Sequence, residues 1–564
     1  MLLSGCLLAG CAPRQEEVSI DPGGIGDAGL GNYAAGRLAH EIGDPLAADF
    51  LLAAVNRDPD NPVILNRAFL ALLTVGRMED AARLARKLRD TGTESGLARL
   101  FEALDAFRGG DYDRVDALTA GLRATGFESL ILPVLKAWTH AARGDRAAAL
   151  DALGELQGNR ALEPFRKVHT AYILDYLGDH EVALSVYKEI PDLRGISLTQ
   201  PVLAHAALLQ KTGDPDAALA MLDTYLERFT RNDLVTAQRD RLRHGKPVHS
   251  HAVAPAPALG LVLFRAANEL GREEASRPAI IYARMGHYLA PQLGEGRLDL
   301  ARLLASAEMY RLATGLLRDI DPDDAFYGQA RLQLAWTLQD AGRHAAALGS
   351  LDSYLMHAPK SVTGWSTRGD IHRSAEEYAE AIKAYERALA LPPETGETHS
   401  WFLYFARGIA HERSDQWALA EADFLQALEI DPDQAQVLNY LGYSWIDRGM
   451  HLERGTEMIR KAVEMRPQDG FIIDSLGWAF YLQGDYAQAV KYLERAVERE
   501  PGDPTINDHL GDAYWKVGRR TEARFQWRHA LTAGPESEDD RRRIAEKLDY
   551  GLELANLDRG DQPE

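Results

Sequence analysis

The sequence predicts an all-α solenoid built from stacked pairs of antiparallel helices in two arrays. The pair Leu476-Gly477 returns 34 residues later as Leu510-Gly511. An aromatic residue lies three positions after each glycine, an alanine twelve positions after it and a proline twenty-four positions after it. Helix-ending signals such as Asp431-Pro432 punctuate the chain, because proline disfavours helix at the preceding residue. The period and these signals together predict repeated helical hairpins.

The markers of the two clearest copies recur in register. They are Leu476, Gly477, Phe480, Ala489, Leu493, Ala496 and Pro501, then Leu510, Gly511, Tyr514, Ala523, Trp527, Ala530 and Pro535. This spacing resembles the tetratricopeptide repeat, L-G-x2-Y followed by A-x3-F and P, which folds as two antiparallel helices. The resemblance implies a right-handed superhelix of helix-turn-helix repeats.

Small residues continue the pattern towards the N-terminus. They occupy Gly442, Gly408, Gly369, Ala335 and Ala301, then positions near Ala206, Ala171, Ala137, Ala103, Phe69 and Ala35. Gly455 takes the role of the partner alanine in its copy, and residues 394–398 form an insertion. Glycine and alanine let two helices approach closely where they cross. The pattern predicts six early repeats and about eight late ones, the copy around Phe264 being weak.

The periodic pattern is interrupted at residues 244–259, which contain three prolines and no helical period. We expect a linker there, between an N-terminal array at 32–243 and a C-terminal array at 260–540, with a helix and acidic tail at 541–564. His244, His249 and His251 lie in or beside this stretch without a cysteine or a nearby carboxylate. They fall short of a structural zinc pattern.

Both cysteines of the chain lie near its start, at Cys6 and Cys11. Leu8-Ala9-Gly10-Cys11 resembles the lipobox of bacterial lipoproteins, and Leu3-Ser4-Gly5-Cys6 is a second match. The resemblance implies a signal at residues 1–11, lipidation of Cys11 or alternatively Cys6, and a flexible tether at 12–31. Ala12 after the cysteine resembles lipoproteins sorted to the outer membrane.

One feature departs from an export signal, since no Lys or Arg precedes Cys11. We therefore expect the true start codon upstream. The alternative is an apolar terminus of a cytosolic protein. No run of about 18 or more apolar residues follows, so no membrane-spanning segment is predicted.

The chain carries 84 acidic and 63 basic residues, a net charge of −21. This balance disfavours nucleic acid and favours basic protein partners. No phosphate-binding glycine loop, G-x-S-x-G elbow or H-E-x-x-H helix occurs in the sequence. We expect neither catalysis nor a cofactor nor a metal site.

The tetratricopeptide resemblance implies that the first helix of each pair lines a concave groove. Its groove positions are Phe402, Phe405, Asn439, Tyr443, Phe471, Asp474, Trp478, Tyr481, Asp508, Asp512 and Trp515. Aromatic groups beside acids suit apolar or basic peptide segments. Core packing is the alternative role of each aromatic residue. The fifth positions, Asn439, Asp474 and Asp508, argue against a carboxylate clamp.

Three segments, 437–443, 472–478 and 506–512, resemble a block shared by large proteobacterial tetratricopeptide lipoproteins. These include adaptors that bind a periplasmic carboxyl-terminal processing protease and present cell-wall hydrolases to it. The resemblance implies a non-enzymatic periplasmic adaptor that is lipid-anchored to the outer membrane and binds proteins or peptides. The alternatives are an assembly factor for outer-membrane or secretion machinery, and a cytosolic scaffold or regulatory half of a glycosyltransferase-like enzyme.

Overall fold

A computed structural model describes residues 29–122, 126–190, 199–229, 232–250, 252–272, 276–322, 324–393 and 399–552. Over these residues the chain forms thirty α-helices and no strand, which confirms the all-α solenoid. They fall into two compact units, an N-terminal unit of residues 29–360 and a C-terminal unit of residues 361–552. Cys6, Cys11, His251, the insertion 394–398 and the tail 553–564 lie outside the described residues.

The N-terminal unit contains the first nineteen described helices. They are α1 (Gly29–Glu41), α2 (Ala47–Arg57), α3 (Pro62–Val75), α4 (Met78–Asp90), α5 (Gly96–Arg108), α6 (Tyr112–Thr119), α7 (Glu128–Ala142), α8 (Arg146–Gly154), α9 (Glu163–Tyr176), α10 (His180–Lys188), α11 (Thr199–Lys211), α12 (Pro215–Arg228), α13 (Asp233–Arg243), α14 (Pro255–Arg272), α15 (Ser276–Leu289), α16 (Gly294–Ser306), α17 (Tyr310–Arg318), α18 (Tyr327–Asp340) and α19 (His344–His357).

The C-terminal unit contains the other eleven described helices. They are α20 (Val362–Ser374), α21 (Tyr378–Leu389), α22 (Trp401–Arg413), α23 (Trp417–Ile430), α24 (Ala435–Asp447), α25 (Leu452–Met465), α26 (Gly470–Leu482), α27 (Tyr486–Arg499), α28 (Pro504–Lys516), α29 (Arg520–Ala533) and α30 (Glu538–Tyr550). Five helix pairs, α20–α21 to α28–α29, are followed by the single helix α30.

Each predicted small residue lies on the first helix of a pair, where the second helix crosses it. At Gly477 of α26, an added Cβ would lie 2.7 Å from Leu493 Cγ of α27. Gly442 of α24 faces Gly455 of α25, and a Cβ there would lie 2.7 Å from the Gly455 carbonyl oxygen. The sequence prediction of close helix crossings is therefore confirmed at the atomic level.

Many pairs share a Gly-Asp turn between their two helices. Gly110 and Gly484 adopt φ of 77° and 81°, a left-handed conformation that glycine reaches at little cost. The following aspartates cap the next helix: Asp111 accepts from the Arg114 N–H at 3.2 Å, and Asp485 from the Gln488 N–H at 3.1 Å. This local chemistry reverses the chain within each pair.

The predicted non-helical stretch 244–259 ends earlier than expected, because α14 begins at Pro255. Pro255 and Pro257 lie in its first turn, where proline is tolerated because those N–H groups have no partner within the helix. Leu259 and Leu263 of α14 are fully buried among residues of the N-terminal array. The two compact units divide at Lys360 and Ser361 rather than in this stretch.

The ends of the arrays also differ slightly from the expected bounds. Helix α1 begins at Gly29, inside the predicted tether 12–31, and α30 begins at Glu538 rather than at 541. Ser537 starts α30 there because its hydroxyl accepts from the Asp540 N–H at 3.1 Å. Among the described residues, none of the helices combines the length and apolar character needed to cross a bilayer.

Candidate functional site

The first helices of the pairs form the inner face of each unit. In the C-terminal unit, α24 contacts α26 and α26 contacts α28, whereas the second helix α25 contacts the first helix of the next pair. The more closely spaced row of helices lies on the inside of a curved array. We call this row the inner face, and it carries the groove positions predicted from the sequence.

The predicted fifth positions, Asn439, Asp474 and Asp508, are buried rather than open to a groove. Asp474 of α26 accepts from Nδ1 of His509 on α28, with both oxygens at 3.0 Å. Asn439 is 4% exposed, and its Oδ1 has no hydrogen-bond partner. Burial alone would lower the pKa of His509, but Asp474, helped by more distant carboxylates, outweighs it and raises that pKa. The Asp474–His509 ion pair therefore joins two repeats.

The two acids of the last pair are neutralised by α30. Lys547 donates to both oxygens of Asp508 at 2.9 Å and to Asp512 at 2.7 Å, and all three residues are buried. Trp527 Nε1 also donates to Asp512 at 3.0 Å. Burial raises the pKa of Asp512, and the two carboxylates raise the pKa of Lys547 against the effect of its burial. Asp508 and Asp512 are therefore not exposed acids for a partner.

Four rings form a continuous cluster, which we call the ring ladder: Trp478 and Tyr481 on α26, His509 on α28, and Tyr486 at the start of the second helix α27. The Trp478 ring stacks on Tyr481 at 4.5 Å and on His509 at 4.0 Å between centroids. Tyr486 meets Tyr481 edge-on at 5.3 Å. Trp478 and Tyr481 remain partly exposed. Such rings offer a flat apolar surface with polar edges.

The other predicted aromatic residues divide between packing and exposure. Phe405 lies 5.8 Å from Phe424 between ring centroids and is buried, and Tyr443 and Trp515 are buried as well. Burial raises the pKa of Tyr443. Phe402 and Phe471 are partly exposed. Phe405, Tyr443 and Trp515 therefore serve the core rather than a groove. That Phe402 and Phe471 contact a partner stays a prediction.

The inner face of the N-terminal unit is partly filled by the hairpin of α14 and α15, which packs on the first helices α3, α5 and α7. Arg284 of α15 donates to the Thr74 carbonyl at the end of α3, at 3.1 Å. Tyr288 donates to Asp105 Oδ1 of α5 at 2.8 Å, and the Arg108 guanidinium lies 4.3 Å from the Tyr288 ring. This hairpin is the weak copy around Phe264.

Beside the hairpin, the N-terminal unit holds a cavity of about 740 Å³. It is lined by first helices, namely α9, α11, α14, α16 and α18. Phe165, Tyr172, Phe264 and Phe326 form aromatic walls. Sequence reasoning missed this cavity, which Gly296 marks in the structure, because an added Cβ there would overlap the Phe264 ring.

A family model described as tetratricopeptide repeat matches residues 332–394 and 475–538. A TPR repeat-containing protein of Pseudomonas aeruginosa is 28% identical over 208 residues, 37% of this chain and 32% of that protein. Human tetratricopeptide repeat protein 13 is 25% identical over 188 residues, 32% of this chain and 21% of that protein. The matched region spans about a third or less of these curated relatives.

Among solved structures, the APC/C hetero-tetramer Cut9-Hcn1 is 14% identical with a TM-score of 0.38, covering 80% of this chain and 95% of that chain. Yeast Tom70 is 13% identical with a TM-score of 0.36, covering 83% and 97%. The two segments matched by the family model are tetratricopeptide repeats, a type of scaffold suited to protein–protein interaction.

Proposed function

We propose that this protein, whose repeats are of the tetratricopeptide type, is a non-enzymatic scaffold that binds segments of other proteins along its inner faces. The observation that carries the proposal is the ring ladder: Trp478 stacks on Tyr481 and on His509 and remains partly exposed. Rigid aromatic groups anchor many protein interfaces because they bury a large area with few rotatable bonds. The ladder would take apolar or aromatic side chains of a partner.

The more specific proposal concerns the compartment and the partners. The lipobox resemblance at Cys11, with Cys6 as the alternative, supports anchoring to the outer membrane on its periplasmic side. The resemblance of residues 437–443, 472–478 and 506–512 to protease adaptors supports delivery of cell-wall hydrolases to a carboxyl-terminal processing protease. The mechanism would be effective concentration, because one scaffold would hold an enzyme and its substrate together.

Crosslinked membranes provide the test of compartment and partners. The protein would be expressed with a C-terminal tag, beside a Cys11→Ala variant, and its partners would be identified by mass spectrometry. We expect a processing protease and wall hydrolases with the wild type, and weaker recovery with the variant. Recovery of barrel or secretin components would favour an assembly factor, and cytosolic proteins regardless of Cys11 would contradict periplasmic anchoring.

The ring ladder needs its own variants. Trp478→Ala and Tyr481→Ala should lower recovery of the partner at least tenfold, because each removes a stacked, partly exposed ring. Phe525→Ala is the matched control, since Phe525 is an exposed aromatic residue of the second helix α29. Thermal unfolding would establish that the variants fold. Equal recovery with all three would show that the ladder is not the contact surface.

A further inference from the structure

Three carboxylates line the cavity of the N-terminal unit, Glu269, Asp299 and Glu295, and the last two have different surroundings. Asp299 accepts from Arg302 at 2.6 Å and from Asn268 at 3.0 Å, so its charge is balanced within the unit. Glu295 has only neutral donors, the side chains of Thr199 and Gln200. A carboxylate has about four lone-pair sites, so these donors leave acceptor capacity unused.

Two buried polar atoms at the same cavity also have no partner. Gln200 is 6% exposed and its Oε1 accepts no hydrogen bond. Tyr172 is 1% exposed and its hydroxyl has no partner either. Buried polar groups are rarely left unsatisfied, because each costs about 1–3 kcal/mol. Both oxygens can accept, so Glu295, Gln200 and Tyr172 together call for a donor-rich, positively charged group.

We infer that this cavity binds a lysine or arginine side chain of a peptide segment, with Glu295 as the counter-charge and Gln200 and Tyr172 as further acceptors. An ammonium carries three N–H donors and a guanidinium five. The aliphatic stem of either side chain would pack on Phe165, Phe264 and Phe326, as long charged side chains do on apolar surfaces. The volume of about 740 Å³ admits several residues of a peptide. This inference deepens and rests on the proposed protein-binding function.

Four arginines line the cavity beside its three carboxylates, and one of them, Arg272, pairs with Glu269 at 3.3 Å. Arg302 is paired with Asp299, and the Arg265 guanidinium lies 5.8 Å from the Phe165 ring centroid. Arg160 and Arg272 are exposed to water, which screens them. The chain as a whole carries a net charge of −21, which attracts basic segments at long range.

Glu295 makes the binding depend on pH. Burial, with the negative charge of Asp299, raises the pKa of Glu295 to about 7. Burial lowers the pKa of the neighbouring His169 to about 3, so it stays neutral near pH 7. The other polar groups that line the cavity around Glu295 are Arg160 before α9, His169 and Tyr172 from α9, Thr199 and Gln200 from α11, Asn232 before α13, Arg265, Asn268, Glu269 and Arg272 from α14, Asp299 and Arg302 from α16, and Gln329 and Gln333 from α18.

Fluorescein-labelled hexapeptides with a central lysine, arginine, norleucine or aspartate provide the probe, and fluorescence anisotropy with the full chain gives the affinities. We expect the lysine and arginine peptides to bind at least tenfold more tightly than the norleucine peptide. Glu295→Gln should remove that preference. Glu181→Gln is the control, because Glu181 is an exposed residue of α10 outside the cavity.

A second measurement needs no variant. Between pH 8.5 and 5.5 the lysine peptide keeps its charge while Glu295 becomes protonated, so its affinity should fall by up to about thirtyfold. The norleucine peptide should not change. Equal binding of norleucine, preference for aspartate, or a lysine affinity unchanged by both Glu295→Gln and pH would overturn the inference.

These outcomes are separate from those of the proposed function. Loss of partner recovery in Trp478→Ala alongside normal selectivity for basic peptides would retain both proposals. Normal partner recovery through the ladder with no selectivity at the cavity would remove this inference alone.

Discussion

The two units are built from similar helix pairs, yet their inner faces are occupied differently. In the N-terminal unit, the hairpin α14–α15 packs on α3, α5 and α7, and a cavity remains beside it. In the C-terminal unit, the face of α26 stays partly exposed as the ring ladder, and the single helix α30 covers the last pair. The helix pairs are therefore similar in both units, and the hairpin α14–α15 and the helix α30 determine how much of each inner face remains exposed.

The chemistry of the two coverings also differs. Arg284 of the hairpin is buried and bonds a backbone carbonyl, and burial lowers its pKa to about 10. Lys547 of α30 is buried between two carboxylates. Removing a partner from a buried ionic cluster leaves uncompensated charge, which costs more than removing one bond to a carbonyl. Substituting Lys547 of α30 should therefore destabilise the fold more than substituting Arg284 of the hairpin.

The largest effect is expected from Lys547→Met. It leaves Asp508 and Asp512 buried together, with Arg543 3.3 Å from Asp508 and the Trp527 N–H donating to Asp512 as the remaining partners. We expect a loss of about 3–5 kcal/mol in the unfolding free energy of the C-terminal unit. Urea unfolding followed by tryptophan fluorescence suits the measurement, because seven of the nine tryptophans lie in residues 361–552.

Lys383→Met is the control for that prediction. Lys383 pairs with Glu380 at 2.6 Å, but both side chains are more than half exposed, so the pair contributes little. A similar small change in both variants would mean that the buried cluster does not hold α30 in place.

A second variant compares the helix crossings. Gly442→Ala would push a Cβ against the Gly455 carbonyl oxygen of α25, where backbone rather than a flexible side chain must move. We expect a loss of about 1–3 kcal/mol. Gly502→Ala is the control, since nothing lies within 4 Å of a Cβ added there. Alanine occupies equivalent crossing positions of the N-terminal unit, such as Ala137, which is fully buried.

Arg284→Met tests the covering of the N-terminal unit. It removes the bond to the Thr74 carbonyl and a positive charge at the end of α3, so about 1–2 kcal/mol should be lost locally. Hydrogen exchange should accelerate in α15 and in the last turn of α3. Arg311→Met is the control: because Arg311 is an exposed residue of α17, its substitution should leave hydrogen exchange in α15 and α3 unchanged. Unaltered protection in Arg284→Met would indicate that apolar packing alone holds the hairpin.

The smallest effect concerns pH and the Asp474–His509 pair. The folded state raises the pKa of His509 above its ordinary value of 6.5, so His509 binds a proton more tightly in the folded chain than in the unfolded chain. The stabilisation that the protonated His509 gives to the fold is therefore fully present below pH 6.5. It should decline as pH rises through the folded pKa. His509→Gln should flatten this part of the pH dependence in urea unfolding. A pH dependence equal to that of the wild type would assign it to other groups.

The helix pairs and their crossings could be predicted because they depend on local spacing. Gly477 and Ala489 were identified twelve residues apart, and they lie on the two helices of one pair. The groove was predicted only in part. Trp478 and Tyr481 remain partly exposed, whereas Asp508 is neutralised by Lys547, 39 residues along the chain. The repeat template ends before α30, so it contains no information on that lysine.

The amino-acid sequence alone predicted the 34-residue period, and with it the helix pairs and the small residues at their crossings. Physical reasons for these features act within about one repeat, through helix capping and the steric limit on close approach. The tertiary structure alone decided that α15 bonds α3 across 210 residues and α5 across 183. These contacts form only because the successive repeats curve enough to bring α15 against α3 and α5. The pattern of a single repeat does not specify that curvature.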